Sequence, residues 1–402
     1  MIEIVNKANC CGCSACASKC PKQCIVMEED EEGFLYPKVS RGLCIDCKLC
    51  ESVCPVLNEG TPHKPEKIYA VRNINKNEVR QSSSGGVFTL LATKVLDLGG
   101  IVFGAKFNNS WEVEHCWIDK KKDIQSLMGS KYVQSCIGNT YQEAKAFLSQ
   151  GKYVLFSGTP CQIAGLRRYL KKGYSNLLTV DVVCHGVPSP LVWRNYLKEK
   201  QEALGIVSQT DSSSYIRDIS FRNKSIGWRK FGLLIRGTRF SGEDVECFET
   251  QSDNPYLNGF LGNYYLRPSC HKCSVRLGKS NSDITLADFW KIERFALMDD
   301  ADEGTSLVLI QTQKAMDFFP FEKVQYKETD FRTALISNPS IFKSHILQRK
   351  RGKFWRNYKQ TLPLNIVISG IKLSIIDTLI DGLTILQSKV ESKLLYRKAL
   401  NL

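Results

Sequence analysis

Cys10-Cys11-Gly12-Cys13-Ser14-Ala15-Cys16-Ala17-Ser18-Lys19-Cys20-Pro21 and Cys44-Ile45-Asp46-Cys47-Lys48-Leu49-Cys50-Glu51-Ser52-Val53-Cys54-Pro55 carry one spacing twice, C-x2-C-x2-C-x3-C-P. Three thiolates two residues apart can wrap one face of a cubane, while the fourth, on a turn ending at proline, reaches across to the other cluster. The pattern therefore predicts two 4Fe-4S clusters, one on Cys10, Cys13, Cys16 and Cys54, the other on Cys44, Cys47, Cys50 and Cys20. A pair of four-cysteine zinc knuckles is the competing reading, but such knuckles are built on C-x2-C pairs and need neither the triple nor the C-P ending. Between the runs, Cys24 to Met27 and Gly33 to Pro37 fit a hairpin, with Glu28 to Glu32 as its acidic turn. Cys11 and Cys24 fall outside the ligand spacing and read as packing thiols.

The rest of the chain gives these runs a setting. It has 402 residues, 43% hydrophobic and 24% charged, with 17 cysteines and a formal charge of +14. That length predicts two to three domains and excludes a peptide scaffold, and the composition excludes collagenous and disordered classes. The first nine residues hold no apolar run of signal-peptide length, and no stretch of about 18 uninterrupted apolar residues occurs anywhere. The expected location is cytoplasmic, where clustered cysteines read as metal or redox ligands before disulfides. Charge divides the chain: residues 1–60 carry net −3 and residues 331–402 net +10. A polar, proline-containing stretch, Asn58 to Lys67, marks the first boundary. The expected domains are 1–60, a two-cluster ferredoxin-like unit; 66–330; and 331–402, a basic helical extension.

In the middle segment, strands fit Ile68–Arg72, Gly100–Phe107, Lys152–Ser157 and Leu177–Cys184. Helices fit Gly86–Leu98, Thr140–Gln150, Gln162–Lys172 and Leu191–Leu204. Their alternation predicts an α/β fold. Later strands, Ile216–Arg222, Phe231–Arg236, Ile284–Ala287 and Ser306–Gln311, have fewer helices between them, so the second half reads as mixed α+β. Cys161 and Cys184 follow apolar strands, and strand C-terminal ends are where ligand-holding loops gather. With the close pair Cys270 and Cys273 they supply four thiolates, enough for a third 4Fe-4S cluster. Buried packing thiols are the plainer alternative for the two single cysteines.

These segments together resemble the coenzyme F420 hydrogenase/dehydrogenase beta-subunit family, in the branch with a fused N-terminal two-cluster ferredoxin domain. The resemblance runs from about Cys10 to Thr312. It rests on Ser84-Gly85-Gly86-Val87, Gly129-Ser130-Lys131-Tyr132-Val133, Gly158-Thr159-Pro160-Cys161-Gln162, Cys184-His185-Gly186, Arg267 to Cys273, Ser282 to Trp290 and Gly304 to Leu309. It implies a flavoprotein domain that holds FAD and a further 4Fe-4S cluster. It also implies an oxidoreductase that moves electrons between iron–sulfur centres and a two-electron carrier or substrate. Where the family often has glycine after Asp-Phe-Trp, this chain has Lys291, which bears on the substrate more than on the cluster or the flavin.

FAD brings a pyrophosphate, which calls for backbone amides at a helix N-terminus. In the family's light, Ser83, Ser84, Gly85 and Gly86 before the helix are expected to bind it, with Lys131, Tyr132, Gln134 and Ser135 adding a cation, a ring and hydrogen bonds, and Gly158 and Thr159 lining the same cofactor. No G-x-G-x-x-G follows a first strand, so a conventional dinucleotide fingerprint is not expected. His185 and His271 read as hydrogen-bond partners of cluster sulfur or as packing, His63 and His345 have no supporting neighbours, and no general acid or base is assigned among Asp181, Asp283 and Asp288.

From Lys343 to Lys359 there are seven Lys/Arg and no acidic residue, interleaved with Phe354, Trp355 and Tyr358. No recognition fold accompanies this segment, so nucleic acid is not the expected partner. An acidic redox partner or an anionic membrane surface fits better. Ile368, Ile371, Ile375, Leu379, Leu383 and Leu386 follow helical spacing and suit packing on the domain or on another protomer. The expected partners are a redox protein such as reduced ferredoxin and a two-electron carrier or small substrate: coenzyme F420, a nicotinamide or a pathway intermediate. The alternative in a different class is an electron-transfer or docking subunit with no substrate site of its own.

Overall fold

Near-continuous apolar runs such as Val154-Leu155-Phe156 and Leu177-Leu178 can be buried on both faces, which is the condition for central parallel strands. In the computed structural model, which describes residues 1–206, 215–299, 302–358, 362–371 and 375–402, they form the middle of an eight-stranded sheet. In chain order the strands are β1 (Ile25–Glu29), β2 (Leu35–Val39), β3 (Lys67–Asn73), β4 (Ile101–Phe107), β5 (Val113–Ile118), β6 (Val154–Gly158), β7 (Leu177–Val182), β8 (Tyr215–Asn223), β9 (Gly232–Thr238), β10 (Asp244–Thr250), β11 (Ile284–Asp288), β12 (Ser306–Ile310) and β13 (Val324–Glu328). The large sheet runs β13-β3-β12-β11-β7-β6-β4-β5. β4, β6, β7 and β11 are mutually parallel neighbours, and β5, β12, β3 and β13 add antiparallel flanks.

Side chains alternate across this sheet with period two. Val102, Leu155 and Leu178 face the helix Val87–Asp97. Ile101, Phe103, Val154, Phe156 and Leu177 face the helices Thr140–Ser149 and Pro160–Leu170. The latter starts sharply after β6 because Thr159 and Gln162 form a reciprocal capping box and Pro160 presets the first turn. A second sheet, β10-β9-β8, is antiparallel, and its Phe221, Leu233 and Ile235 pack on Trp193, Tyr196 and Leu197 of the helix Pro190–Leu204.

At the N-terminus, β1 and β2 form the expected hairpin, with Ile25 opposite Val39, and the short helices Ala15–Lys19 and Leu49–Ser52 flank it and pack together. The chain is thus mixed α/β with a ferredoxin-like N-terminal portion. β5, β10 and β13 have no counterpart among the strands read from sequence. All three are edge strands with one solvated face, so their charges hide the apolar alternation.

Helices Arg349–Asn357, Leu364–Ser369 and Ile375–Leu400 close the chain. The basic segment is partly internal: Phe354 is fully buried, and Arg351 pairs with both carboxylate oxygens of Glu32 while donating to Leu266 O at 2.9 Å. Lys359, and the side chains of Ile375, Leu379 and Leu383, lie outside the described residues. Ile368 and Ile371 pack against the core, while Leu386 is exposed. No helix among the described residues is long and apolar enough to cross a membrane.

Candidate functional site

Every cysteine is a free thiol. Cys20, Cys44, Cys47 and Cys50 line one small cavity together with Cys24, whose sulfur stands 3.3 Å from that of Cys20. Cys47 is exposed there. Deeper in, Cys16 is pushed up to about 12 by burial first and then by Cys10, with Cys54 also in electrostatic reach. Cys13 packs in the core beneath the sheet with Ala15 and Val53. Cys11 lies within hydrogen-bond reach of both Cys13 and Cys161, so a thiol outside the ligand spacing stands between two cysteine groups.

Cys161 sits in the first turn of the helix after β6, and Cys184 two residues past the end of β7. Because β6 and β7 are parallel neighbours, both emerge at the same sheet edge. There they meet Cys270 and Cys273, and the four thiols line a cavity of about 80 Å³ with Cys11. Burial, then the neighbouring thiols, pushes Cys184 and Cys270 up, Cys270 to about 12; at Cys161 the hydrogen bond from Cys11 weighs first and burial second. Four enclosed thiols that resist ionisation as bare protein form a donor set that becomes stable as thiolates around a positively charged metal core. Backbone N–H groups already point at sulfur: Ile2 N at 3.3 Å from Cys50 and Val187 N at 3.4 Å from Cys270. The donor set fits 4Fe-4S ligation.

A much larger cavity, about 580 Å³, opens beside this one, and Cys184, Gly186 and Val187 line both. Its wall includes Ser83, Ser84, Gly86, Lys131, Tyr132, Gln134, Ser135, Gly158 and Thr159. Gly85 stands behind the wall instead, where a Cβ would strike Val71 O at 2.4 Å. Gly86 is the N-cap of the helix Val87–Asp97 at φ +79, a left-handed conformation natural to glycine, and no side chain caps the helix. Its first N–H groups are therefore available to an anion.

Several polar groups of this wall are already committed. Ser83 Oγ accepts from Ser130 N at 2.7 Å, Ser84 Oγ donates to Thr305 O at 2.9 Å, and Gln134 donates to Cys11 O at 3.1 Å. The Tyr132 ring packs 4.8 Å from that of Phe260. Among the described residues Lys131 bonds only carbonyls, Met128 O at 2.8 Å and Gly129 O at 3.4 Å, and its enclosure lowers it to about 8. A lysine in a cavity with no carboxylate partner suits a phosphate.

Three residues given no role from sequence matter here; Arg267 opens the Arg267 to Cys273 segment, whereas His115 and Arg222 lie in no motif. His115 on β5 is buried and belongs to the cavity lining; its Nε2 is bonded to Ser157 O at 3.0 Å, so its buried Nδ1 is a lone-pair acceptor with no partner among the described residues. Burial lowers it to about 4. Arg222 on β8 lines the same cavity, its buried Nε without a partner among the described residues, and Arg267 joins Cys10 to Gln134. For His115 the one sequence signal is its inward parity in Val113-Glu114-His115-Cys116-Trp117-Ile118. An acceptor, an uncapped helix and a lysine spread over this volume fit a dinucleotide such as FAD.

The carboxylates left unassigned prove to be structural anchors. Asp283 accepts from Arg167 at 2.7 Å and Thr179 N at 2.8 Å, and Asp181 from Ser280 and Thr285 at 2.6 Å each. His345 does have a neighbour: its ring lies 3.8 Å from that of His185. Lys291 is exposed and adopts φ +63, the left-handed backbone that a glycine would take without strain.

A family model described as the C terminus of the coenzyme F420 hydrogenase/dehydrogenase beta subunit matches residues 151–330, and one described as a 4Fe-4S dicluster domain matches residues 9–58. No curated protein matches the chain. Among solved structures, a chain of the F420-reducing NiFe hydrogenase complex from Methanosarcina barkeri aligns at 16% identity and a TM-score of 0.43, covering 74% of this chain and 93% of that one.

Proposed function

The chain belongs to the coenzyme F420 hydrogenase/dehydrogenase beta-subunit family and carries a 4Fe-4S dicluster domain ahead of the family domain, and from that premise we propose that it is an iron–sulfur flavoprotein oxidoreductase. It passes electrons between a redox partner protein and a two-electron carrier through three 4Fe-4S clusters and FAD. The observation that carries this reading is Cys184, which lines both the four-thiol cavity and the 580 Å³ cavity. A one-electron centre and a two-electron cofactor must lie side by side for exchange, and this residue is their common wall.

Cys10, Cys13, Cys16 and Cys54 would hold the first cluster, Cys20, Cys44, Cys47 and Cys50 the second, and Cys161, Cys184, Cys270 and Cys273 the third. A partner protein would dock on the side of the second cluster where Cys47 is exposed. The helix N-terminus at Gly86 and Val87 and the Lys131 ammonium would take the FAD pyrophosphate, with Ser83, Ser84, Ser135, Gly158 and Thr159 shaping the wall. His115, a wall residue whose buried Nδ1 has no partner among the described residues, would offer an acceptor to a donor of the cofactor. When bound, FAD would supply the conversion between hydride transfer and single-electron steps. Val180, Leu286 and Phe231 add apolar surface to the wall of that cavity.

The test is anaerobic: clusters are reduced with dithionite-reduced ferredoxin and the flavin absorbance is followed, with and without oxidised coenzyme F420, NAD⁺ or NADP⁺. Flavin bleaching by way of the clusters, reversed by one of these carriers, supports the reading. Reducible clusters with no flavin in the protein would make it the electron-transfer subunit without a substrate site.

A further inference from the structure

Arg267 is wholly buried, three residues before Cys270. Its Nε donates to Cys10 O at 2.8 Å, Nη1 to Gln134 Oε1 at 3.0 Å, and Nη2 to Leu35 O at 2.9 Å and to Cys10 Sγ at 3.5 Å. The guanidinium lies 4.2 Å from the centre of the Tyr36 ring and 5.4 Å from that of Phe34. Gly12, at φ +71, makes room: a Cβ there would stand 2.7 Å from Nη1.

What this arginine lacks, among the described residues, is a carboxylate. The other well-buried arginines have one: Arg222 has Asp288 and Arg351 has Glu32. Burying a guanidinium against carbonyls, an amide and aromatic faces alone is costly, and the cost is met when an anion shares the site. The nearest candidate anion is the four-thiolate set that includes Cys10. The hydrogen bonds to sulfur at the other two sets come from neutral backbone, Ile2 N at Cys50 and Val187 N at Cys270; among the described residues the charged donor to a cysteine sulfur is Arg267.

We propose that Arg267 is the built-in counter-charge of the cluster on Cys10, Cys13, Cys16 and Cys54, a positioning residue that keeps this enclosed centre reducible by electrons arriving at the exposed one. The inference rests on the iron–sulfur reading of those cysteines. Adding one electron, with no proton, to a cluster that is anionic once its four thiolates are counted is harder in a low-dielectric interior; a cation and a hydrogen bond to ligand sulfur offset this and raise the potential. By linking Cys10 and Leu35 to Gln134, the same side chain also fixes the first cluster's loop against the wall of the large cavity.

The test is an EPR-monitored redox titration of anaerobically purified protein with Arg267 intact or replaced by Met or Lys; the first cluster's component is identified by its absence from Cys54→Ser. In Arg267→Met the reduction equilibrium of that component falls at least tenfold, 59 mV for one electron. The other components move less, iron and sulfide stay at the wild-type count, and Arg267→Lys recovers part of the shift. If Arg267→Met does not assemble, Arg267→Gln, which keeps a donor without charge, is read the same way. An unchanged midpoint at full iron overturns the proposal. Wild-type protein without iron would overturn the iron–sulfur reading instead.

Discussion

Arg222 holds Asp288 through both terminal guanidinium nitrogens, at 3.1 Å each, on the wall of the 580 Å³ cavity. Trp228 Nε1 donates to the same carboxylate at 3.0 Å, and the Phe231 ring lies 3.9 Å from the guanidinium carbon. This pair ties β8 of the small sheet to β11 of the large one, so the cavity depends on it. Asp288→Asn leaves a buried cation without its partner and is expected to cost about 3–5 kcal/mol in anaerobic denaturant unfolding. Arg222→Met combined with Asp288→Leu recovers most of that loss, whereas equal losses in the single and double variants would show that the pair does not hold the sheets together.

The cysteine groups separate by iron content. Cys161→Ser with Cys270→Ser removes about four iron per chain and leaves the N-terminal pair of clusters. Cys11→Ser and Cys24→Ala keep the full count, because neither lies in the ligand spacing although both touch ligand thiols. Loss of iron in Cys11→Ser would redraw the third site around that residue.

Lys131 and Gly86 act on cofactor retention. Lys131→Met removes a charge that the protein itself does not pair, so the flavin-free protein keeps its stability while FAD affinity falls roughly tenfold or more. Gly86→Ala forces a side chain into φ +79, costs about 1–2 kcal/mol, and lowers flavin occupancy through the shifted helix start. Dialysis against low FAD followed by fluorescence titration measures both, and full flavin binding in Lys131→Met would remove the lysine from the site.

His115 gives a pH signature. Its folded value near 4 lies below the unfolded 6.5, so burial of the neutral ring leaves stability complete above about pH 6.5 and lost as pH falls through 4. The loss over that window is on the order of 3 kcal/mol. His115→Gln keeps a donor to Ser157 and flattens this part of the stability curve; a curve unchanged by the substitution would mean that another group titrates there.

The part of this architecture that is legible in the sequence is the part coded by spacing. Twin C-x2-C-x2-C-x3-C-P runs announce a dicluster unit because three closely spaced thiols on one loop, with a fourth before proline on the other, have few ways to close. Cys161 and Cys184 are marked by the turn chemistry after two apolar strands, and the structure does bring them to neighbouring strand ends beside Cys270 and Cys273. The edge strands β5, β10 and β13 are not legible because solvent-facing charges interrupt the pattern. The roles of His115, Arg222 and Arg267 escape for a related reason: they arise from contacts over long sequence separations, such as Arg267 with Cys10, so that even for Arg267, which opens a quoted segment, the local pattern does not name the partner. Gly85 shows the opposite error, a motif residue whose backbone packs against Val71 and Ser306 rather than facing the cavity.

The central claim, three clusters wired to one flavin, is tested most directly by iron, acid-labile sulfide and flavin analysis of anaerobically purified full-length protein. The expected result is about twelve iron, about twelve sulfide and one FAD per chain. Zinc in place of iron, or about eight iron with no flavin, would contradict it.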